Sequence, residues 1–388
     1  MTKKKYLLLG LVIFSVFLYG LSVGHYEIFP FELISTAKFT LTDTFPTETI
    51  DRHQIYQESS EIDALININS IDDIETKRIA LQNYVWPTGD LPQNKFPKLY
   101  STDIKDNLFS DIDSLSQIDS FTVEMDYGMT STSYLFLPKI TNNQLIIYHQ
   151  GHDKSSLRGP DSHSFEQDKE IIQKFLDKNY SILIFSMPGQ GMNNEPVVEV
   201  PNLGKIKLNS HDHFRLIENE DMHPIKFFIE PVMITLNQIE RDYNFESFNM
   251  VGLSGGGWST VIISALDERI QKSYSVAGSF PIWMRSDPSD LGDYEQTVPE
   301  FYQIANYEEL YIMSSYGEGR KLILIYNEFD PCCFPGSLYQ QFPFGTIIQE
   351  RMESLNRGEF NVIIDPEQNK HIISDFSLNQ IFTSLSSK

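Results

Sequence analysis

Residues 249–260 constrain the fold more than any other stretch of the 388-residue chain. They read Asn-Met-Val-Gly-Leu-Ser-Gly-Gly-Gly-Trp-Ser-Thr, so Ser254 stands at the centre of a Gly-x-Ser-x-Gly pattern. An apolar run typical of a strand precedes the serine, and a run typical of a helix follows it. A strand that turns sharply into a helix needs small neighbours, which Gly252 and Gly256 provide. The stretch predicts a nucleophile elbow, with a glycine-rich turn that carries no chemistry as the alternative.

Composition limits the class of protein. Hydrophobic residues make up 41% of the chain, with 27 Phe and 19 Tyr, which is ample for a sizeable core. The length allows one large decorated domain or two smaller ones. The net charge of -23 argues against nucleic-acid binding and against electrostatic attachment to anionic membranes.

The N-terminus differs from the rest of the chain. Three lysines, Lys3 to Lys5, precede an uncharged run of 19 residues over 6–24. A spanning helix needs about 17–25 residues, so we expect residues 1–24 to form a signal-anchor segment. The lysines would remain in the cytoplasm, and the bulk of the chain would be exported and held outside at the membrane. Cleavage at Ser22-Val23-Gly24, followed by secretion, is the alternative.

The remaining chain divides into two parts. Residues 25–119 have few long apolar runs, and a helical pattern over 62–86 predicts a helical N-terminal extension. Residues 120–388 start with a hairpin and then alternate strands with helices, interrupted by an insertion or lid over 281–319. The strands are continuous Val/Ile/Leu runs rather than alternating patterns, which indicates burial on both faces. The predicted class is therefore α/β, with a mostly parallel sheet covered by helices on both sides.

A serine hydroxyl needs a base to become a nucleophile, and the base needs a carboxylate to orient it. Asp330 ends the loop that follows the apolar strand at 320–326, and Glu328 is its competitor. An Asp-Pro turn without chemistry is the alternative for Asp330. His371 follows the last predicted strand and is the only histidine after Ser254. The order serine, acid, histidine along this kind of sheet favours a triad, although a solvated loop histidine remains the alternative.

The oxyanion of such a reaction needs two N–H donors. We expect one from Gly255 and the other from His152, in the loop after the third strand of the domain, with the backbone of Gln150 as the alternative. Gly151 would allow this loop to turn close to the serine. His149 and His152 as metal ligands form a competing hypothesis.

Three further groups leave alternatives open. His211, His213 and the later His223 could bind a metal ion, but we interpret them as structural or pocket-lining residues and expect no metal or cofactor. Aromatic residues around the insertion could line a pocket or belong to the core: Trp258, Trp283, Phe301, Tyr302, Tyr307, Tyr311 and Tyr316. The adjacent Cys332 and Cys333 are either a vicinal disulfide or two buried thiols.

These motifs together resemble the α/β-hydrolase superfamily over residues 121–388. The resemblance rests on Gly252-Leu253-Ser254-Gly255-Gly256, Asp330, His371, the 150–152 loop and the turn Met187-Pro188-Gly189-Gln190-Gly191. Within the family, Gly-Leu-Ser-Gly-Gly-Gly-Trp is most similar to esterases of the dienelactone-hydrolase and acetyl-xylan-esterase type.

The resemblance implies a serine hydrolase that cleaves carboxylic esters through a Ser-His-Asp triad and an acyl-enzyme. Its partner would be a small-molecule or polymer-borne ester, and contact with a membrane would be limited to the N-terminal segment. A peptidase of the same fold is one alternative, although the part before the hairpin is too short for an accessory domain that gates peptides. A non-catalytic protein that binds a partner through the insertion is the other.

Overall fold

The computed structural model describes residues 14–20, 23, 59–152, 163–285 and 291–387. Most of the predicted signal-anchor segment, 1–24, lies outside these residues, and the described part of it, 14–20, is helical. No helix among the described residues has the length and apolar character needed to cross a membrane. Membrane anchoring and export therefore remain predictions.

A nine-stranded sheet organises the chain, in the order β1-β2-β3-β5-β4-β8-β9-β10-β11. The pairs β5–β4, β4–β8, β8–β9, β9–β10 and β10–β11 are parallel, whereas β1–β2, β2–β3 and β3–β5 are antiparallel. Strands β6 and β7 form a separate antiparallel pair. The predicted starting hairpin and mostly parallel sheet are thus confirmed. The strands are β1 Leu99–Ser101, β2 Leu115–Glu124, β3 Thr130–Pro138, β4 Gln144–His149, β5 Ser181–Phe185, β6 Val197–Val200, β7 Gly204–Lys207, β8 Ser247–Leu253, β9 Ile270–Val276, β10 Lys321–Asn327 and β11 Glu359–Asp365.

Helices cover the sheet on both sides. All five residues of β5 are buried, and successive side chains of a strand point to opposite faces, so neither face is open to solvent. The helices are α1 Ser59–Asp63, α2 Ile71–Val85, α3 His163–Asp177, α4 Lys226–Asp242, α5 Gly255–Leu266, α6 Pro299–Ile304, α7 Tyr307–Ser315, α8 Gly336–Gln341, α9 Gly345–Leu355 and α10 Asp375–Ser386. Every residue of α5 is buried, because this helix packs against β8, β9 and α7.

The N-terminal extension supplies more than helices. Besides α1 and α2 it contributes the edge strand β1, which the sequence analysis did not predict, and the boundary expected at residue 119 falls inside β2. A three-residue strand carries too little periodicity to be recognised before its partner is known. The extension also contacts the insertion: the N–H of Asn67 donates to Glu309 on α7 at 2.7 Å.

Two long connections lie above the carboxyl ends of the parallel strands. The first, between β5 and α4, contains the β6–β7 hairpin and a 3-10 turn, His211–Leu216. The second, between β9 and β10, contains the short turn Tyr294–Gln296, α6 and α7. Since all parallel strands end on the same edge, side chains from these connections can meet the residues that follow β4, β8, β10 and β11.

Candidate active site

Ser254 has an unusual backbone conformation at the point where β8 turns into α5. Its φ of 56° and ψ of -126° lie outside the regions that non-glycine residues normally occupy. Such a conformation costs on the order of 1–3 kcal/mol and persists only where the surroundings impose it. The N–H of Ser254 donates to Val276 at 3.0 Å, and its carbonyl accepts from Trp258 at 3.1 Å. The predicted sharp strand-to-helix turn at this serine is therefore present.

The flanking glycines are required by close approach. A Cβ on Gly252 would lie 2.0 Å from the carbonyl oxygen of Gly256, and a Cβ on Gly256 would lie 2.0 Å from the carbonyl oxygen of His149. Real Cβ atoms do not approach backbone oxygens so closely, so β4, β8 and α5 could not meet here with larger residues. Gly255 is the first residue of α5, and its N–H consequently has no acceptor within the helix.

The loop after β4 lies against the serine, as Gly151 led us to expect. A Cβ on Gly151 would be 2.8 Å from Cβ and 3.5 Å from Oγ of Ser254. The N–H of Gln150 donates to Phe185 at 2.9 Å, so this alternative oxyanion donor is already in use. That leaves the N–H of His152 as the candidate, and the imidazole of His152 packs on the Cα of Gly255.

A buried polar network holds this loop in place. Gln150 donates from Nε2 to Asp168, and Ser186 donates to Oε1 of Gln150 at 2.6 Å. Tyr148 donates to the same Asp168 carboxylate at 2.9 Å. Because these groups are buried and satisfy one another, the backbone of residues 150–152 is anchored before any substrate binds.

Asp330 and His371 meet as the chain order predicted. Oδ2 of Asp330 lies 2.7 Å from Nδ1 of His371, across 41 residues of sequence. Asp330 is buried, and its other oxygen accepts the N–H of Cys332 at 2.8 Å. One oxygen of the Asp330 carboxylate thus closes the local turn, and the other orients the imidazole. The two hypotheses for this residue, an Asp-Pro turn and the acid of a triad, are therefore compatible.

The opposite nitrogen of His371 has no hydrogen-bond partner among the described residues. Nε2 is buried and forms no hydrogen bond with any of the described residues, Ser254 included. Asn327, at the end of β10, holds the loop that carries this histidine, since its Nδ2 donates to the carbonyls of Lys370 and Ile372 at 2.9 and 3.0 Å. In enzymes without bound substrate, nucleophile-to-base hydrogen bonds are often long or absent, so this geometry is compatible with a general base.

Two neighbours of Asp330 have different roles. Glu328, the competing carboxylate, accepts the N–H of Glu367 at 3.1 Å and does not contact His371. Cys332 and Cys333 are joined by a disulfide. Of the two possibilities that the sequence left open, the structure therefore has the vicinal disulfide rather than two buried thiols.

A second cluster of titratable groups lies beside the serine and was missed by the sequence analysis. His152 Nε2 lies 2.9 Å from Asp293 Oδ2 and 3.1 Å from Glu295 Oε1. His211 Nδ1 lies 3.0 Å from Glu295 Oε2 and 3.1 Å from His152 Nε2. Of the histidines that the sequence offered as possible metal ligands, His152 and His211 belong to this group, whereas His149, His213 and His223 do not.

Burial and charge act in opposite directions within this cluster. Burial alone would lower the pKa of His152, but contacts with Asp293 and Glu295 outweigh it and raise the pKa to about 10. Burial would likewise raise the pKa of Glu295, but the charges of His211 and His152 hold it well below its usual range. His149 has no acidic neighbour of this kind, and burial lowers its pKa to about 4. His149 and His152, paired in one sequence hypothesis, therefore lie in different environments.

The aromatic residues of the insertion divide between core and cavity. Trp258 and Tyr311 are fully buried in the core. Trp283, Tyr302 and Tyr307 line a cavity of about 520 Å³, whose wall does not include Ser254 or His371. Glu308 also lines it and accepts the indole N–H of Trp283 at 2.7 Å; burial raises the pKa of this carboxyl to about 7.

No protein-family model and no curated protein sequence matches the chain. Solved structures do. Acetyl xylan esterase 1 from Thermoanaerobacterium sp. JW/SL YS485 is 13% identical, with a TM-score of 0.50, over 84% of this chain and 98% of that protein. An acetyl xylan esterase from Paenibacillus sp. R4 is also 13% identical, with a TM-score of 0.50, over 84% of this chain and 97% of that protein.

A third similar structure is the methylesterase BT1017, at 14% identity and a TM-score of 0.51, over 92% of this chain and 68% of that one. Identities this low carry information on architecture rather than on activity. Together with the strand order and the serine turn after β8, the similarity establishes that the chain has the α/β-hydrolase fold.

Proposed function

We propose that the chain is a serine hydrolase that cleaves carboxylic esters. The observation that carries the proposal is the His371 imidazole, which Asp330 orients at 2.7 Å while its Nε2 stays unpartnered among the described residues. This imidazole belongs to the same sheet edge as the strained Ser254 turn. Acyl transfer requires a base of this kind within reach of a serine hydroxyl.

The reaction follows from these positions. Oγ of Ser254 attacks the acyl carbon, and its proton passes to Nε2 of His371. Asp330 keeps the proton of Nδ1 in place and stabilises the imidazolium. The N–H groups of Gly255 and His152 hold the oxyanion, each accounting for roughly 10²–10³ in turnover. His371 then protonates the departing alcohol, and a water molecule, activated by the same imidazole, releases the acid and frees Ser254.

Two considerations favour esters over peptides. The similar solved structures named above are two acetyl xylan esterases and a methylesterase. In addition, residues 59–114, the continuously described stretch before the hairpin, form two helices and one strand, and their apolar side chains belong to the same core as the sheet. We therefore take acyl esters of small alcohols or of polymers as the substrate class.

The test uses the full chain and measures two things: its covalent labelling by a fluorophosphonate probe and its hydrolysis of an ester. Wild type should react with a fluorophosphonate probe and hydrolyse p-nitrophenyl acetate. Ser254→Ala should lose the adduct and about 10⁶ in turnover, with an unchanged circular dichroism spectrum. Ser259→Ala is the matched control: it lies one turn further along α5, and its hydroxyl donates to Met187 Sδ at 3.8 Å. It should behave as wild type.

Three outcomes would count against the proposal. Normal turnover by Ser254→Ala would remove the nucleophile. Absence of an adduct on wild type would favour a binding protein on a hydrolase scaffold. Faster cleavage of a peptide panel than of an ester panel would favour the peptidase.

A further inference from the structure

Four potential metal ligands meet beside the proposed active site, although no sequence motif links them. His152 follows β4, His211 starts the turn His211–Leu216, and Asp293 and Glu295 lie around the turn Tyr294–Gln296. One ligand atom from each lies within 4.8 Å of every other. His211 and Glu295 are buried, whereas His152 and Asp293 are partly exposed, so the group has a buried floor and an accessible side.

The orientation of His211 indicates a ligand. Its Nε2 lies 3.0 Å from the carbonyl oxygen of Pro188, which can only accept, so Nε2 carries the proton. In the metal-bound state Nδ1 would supply the lone pair, and this nitrogen lies 3.0 Å from the Glu295 carboxylate. An imidazole that donates to a backbone carbonyl with one nitrogen and presents the other as a lone pair has the usual arrangement of a metal-bound histidine.

Hydrogen bonds within the cluster cannot satisfy its other members. Nε2 of His152 has a single hydrogen at most, yet it lies within 3.1 Å of Asp293, Glu295 and His211 Nδ1. Glu295 is 0% exposed, and its Oε1 forms no hydrogen bond within the part of the chain that the structure describes. Its near neighbour His152 Nε2, at 3.1 Å, does not meet hydrogen-bond geometry, so this buried oxygen is incompletely satisfied and lies where the other ligand atoms converge.

The distances suit one small cation. Zn²⁺ binds imidazole nitrogen and carboxylate oxygen at about 2.0–2.2 Å, so neighbouring ligand atoms of a tetrahedral site lie roughly 3.3–3.5 Å apart. Four contacts in this cluster, which use both oxygens of Glu295, measure 2.9, 3.0, 3.1 and 3.1 Å, and one ligand atom from each residue lies within 4.8 Å of every other. Small outward shifts at these contacts, together with closure of the wider pairs, would place the four ligand atoms around an ion. Metal binding requires both imidazoles to be deprotonated, so in the metal-bound site the two carboxylates supply two negative charges, which a dication neutralises.

We propose that His152, His211, Asp293 and Glu295 bind one divalent transition-metal ion, with Zn²⁺ as the best match to two nitrogen and two carboxylate ligands. The site differs from our sequence-based expectation of no metal. Since the four ligands come from the loop after β4 and from both long connections, the ion would tie these segments together. It would do so at His152, whose ring lies so near Gly255 that a Cβ on that glycine would be 2.5 Å from Cε1 of the imidazole.

The experiment uses the full chain, stripped with a chelator and then titrated with Zn²⁺ alone. We expect one Zn²⁺ per chain by elemental analysis, and visible absorption bands of tetrahedral Co²⁺ when Co²⁺ replaces it. Asp293→Asn and His211→Gln should weaken Zn²⁺ binding at least about 100-fold, because even an outer-shell partner of a metal site accounts for 10–100-fold. His213→Gln is the matched control, since His213 lies two residues from His211 and contacts the carbonyl of Lys207 at 3.0 Å.

Each result decides the matter. One ion per wild-type chain that is retained in His213→Gln and weakened in Asp293→Asn supports the site. No bound Zn²⁺ in folded wild type, or binding that is equally strong in Asp293→Asn and His211→Gln, overturns it and leaves protonated imidazoles as the partners of the two carboxylates. If His211→Gln fails to fold, the partly exposed Asp293→Asn and the Co²⁺ spectrum of wild type still give the answer. None of these readouts depends on ester turnover, so the proposed hydrolase activity is tested independently.

Discussion

Replacing Asp330 with Asn is the most informative change in the proposed triad, because the structure fixes which way the new amide must point. Oδ1 of Asp330 accepts the N–H groups of Cys332 and Cys333 at 2.8 and 3.4 Å. In Asp330→Asn the amide oxygen would keep that position, so the NH₂ group would face Nδ1 of His371. Two donors cannot share this contact, and the imidazole must move its proton to Nε2, where it can no longer accept the proton of Ser254.

The expected loss of turnover in Asp330→Asn has two parts. Loss of a carboxylate charge about 4 Å from the developing imidazolium removes on the order of 4 kcal/mol at an effective dielectric of 20. That is about three decades in rate, at 1.36 kcal/mol per decade. The wrong tautomer adds about one more decade, for a total of about 10⁴, as is typical of this substitution in serine triads. We expect turnover of p-nitrophenyl acetate to fall by this factor, with the thermal midpoint little changed.

Glu328→Gln is the matched control, because Glu328 precedes Asp330 by two residues and its carboxylate contacts the N–H of Glu367 instead of His371. It should retain turnover within a few-fold of wild type. Folded Asp330→Asn with turnover within tenfold of wild type would refute the reasoning. A loss at Glu328 as large as that at Asp330 would mean that the loop, rather than a particular carboxylate, controls activity.

Two further predictions concern stability. Gly256→Ala places a Cβ 2.0 Å from the carbonyl oxygen of His149, which cannot move without breaking the sheet. The thermal midpoint of this variant should therefore fall sharply. A midpoint equal to that of Ser259→Ala would contradict this close packing. Burial raises the pKa of Glu308 from 4.5 to about 7, so the folded state keeps a proton that the unfolded state loses as pH rises. The free energy of unfolding of wild type should therefore fall by roughly 3 kcal/mol between pH 4.5 and 7. Glu308→Gln, which can still accept the indole N–H of Trp283, should lack this decline in unfolding experiments; parallel curves for the two proteins would show that Glu308 does not titrate there.

The elements that hold Asp330 and His371 could be predicted because each follows a strand with a strong local signal. β10 and β11 are apolar runs bounded by polar turns, and the fold sends the carboxyl ends of all parallel strands to one edge. The same logic placed the 150–152 loop against Ser254. Local pattern and chain order were therefore enough for these residues, since their positions depend on regular structure alone.

The cluster around Glu295 could not be predicted in this way. It joins three irregular segments, and their proximity depends on tertiary packing such as the edge-to-face contact of Phe214 with Tyr294, whose centroids are 6.1 Å apart. Neither aromatic residue has a periodic neighbourhood that would indicate its partner. The vicinal disulfide and the short edge strand β1 escaped a firm prediction for related reasons, because one depends on side-chain chemistry and the other on its partner strand.

The loop after β4 connects the two kinds of chemistry in this molecule. The backbone of Gly151 touches Ser254, whereas the side chain of His152 extends away to Asp293 and Glu295. A reaction at Ser254 needs only the N–H of residue 152, and a metal ion needs only its imidazole. The two proposals can therefore fail separately: Asp293→Asn would weaken metal binding without removing a catalytic group, and Ser254→Ala would remove the nucleophile while leaving every metal ligand in place.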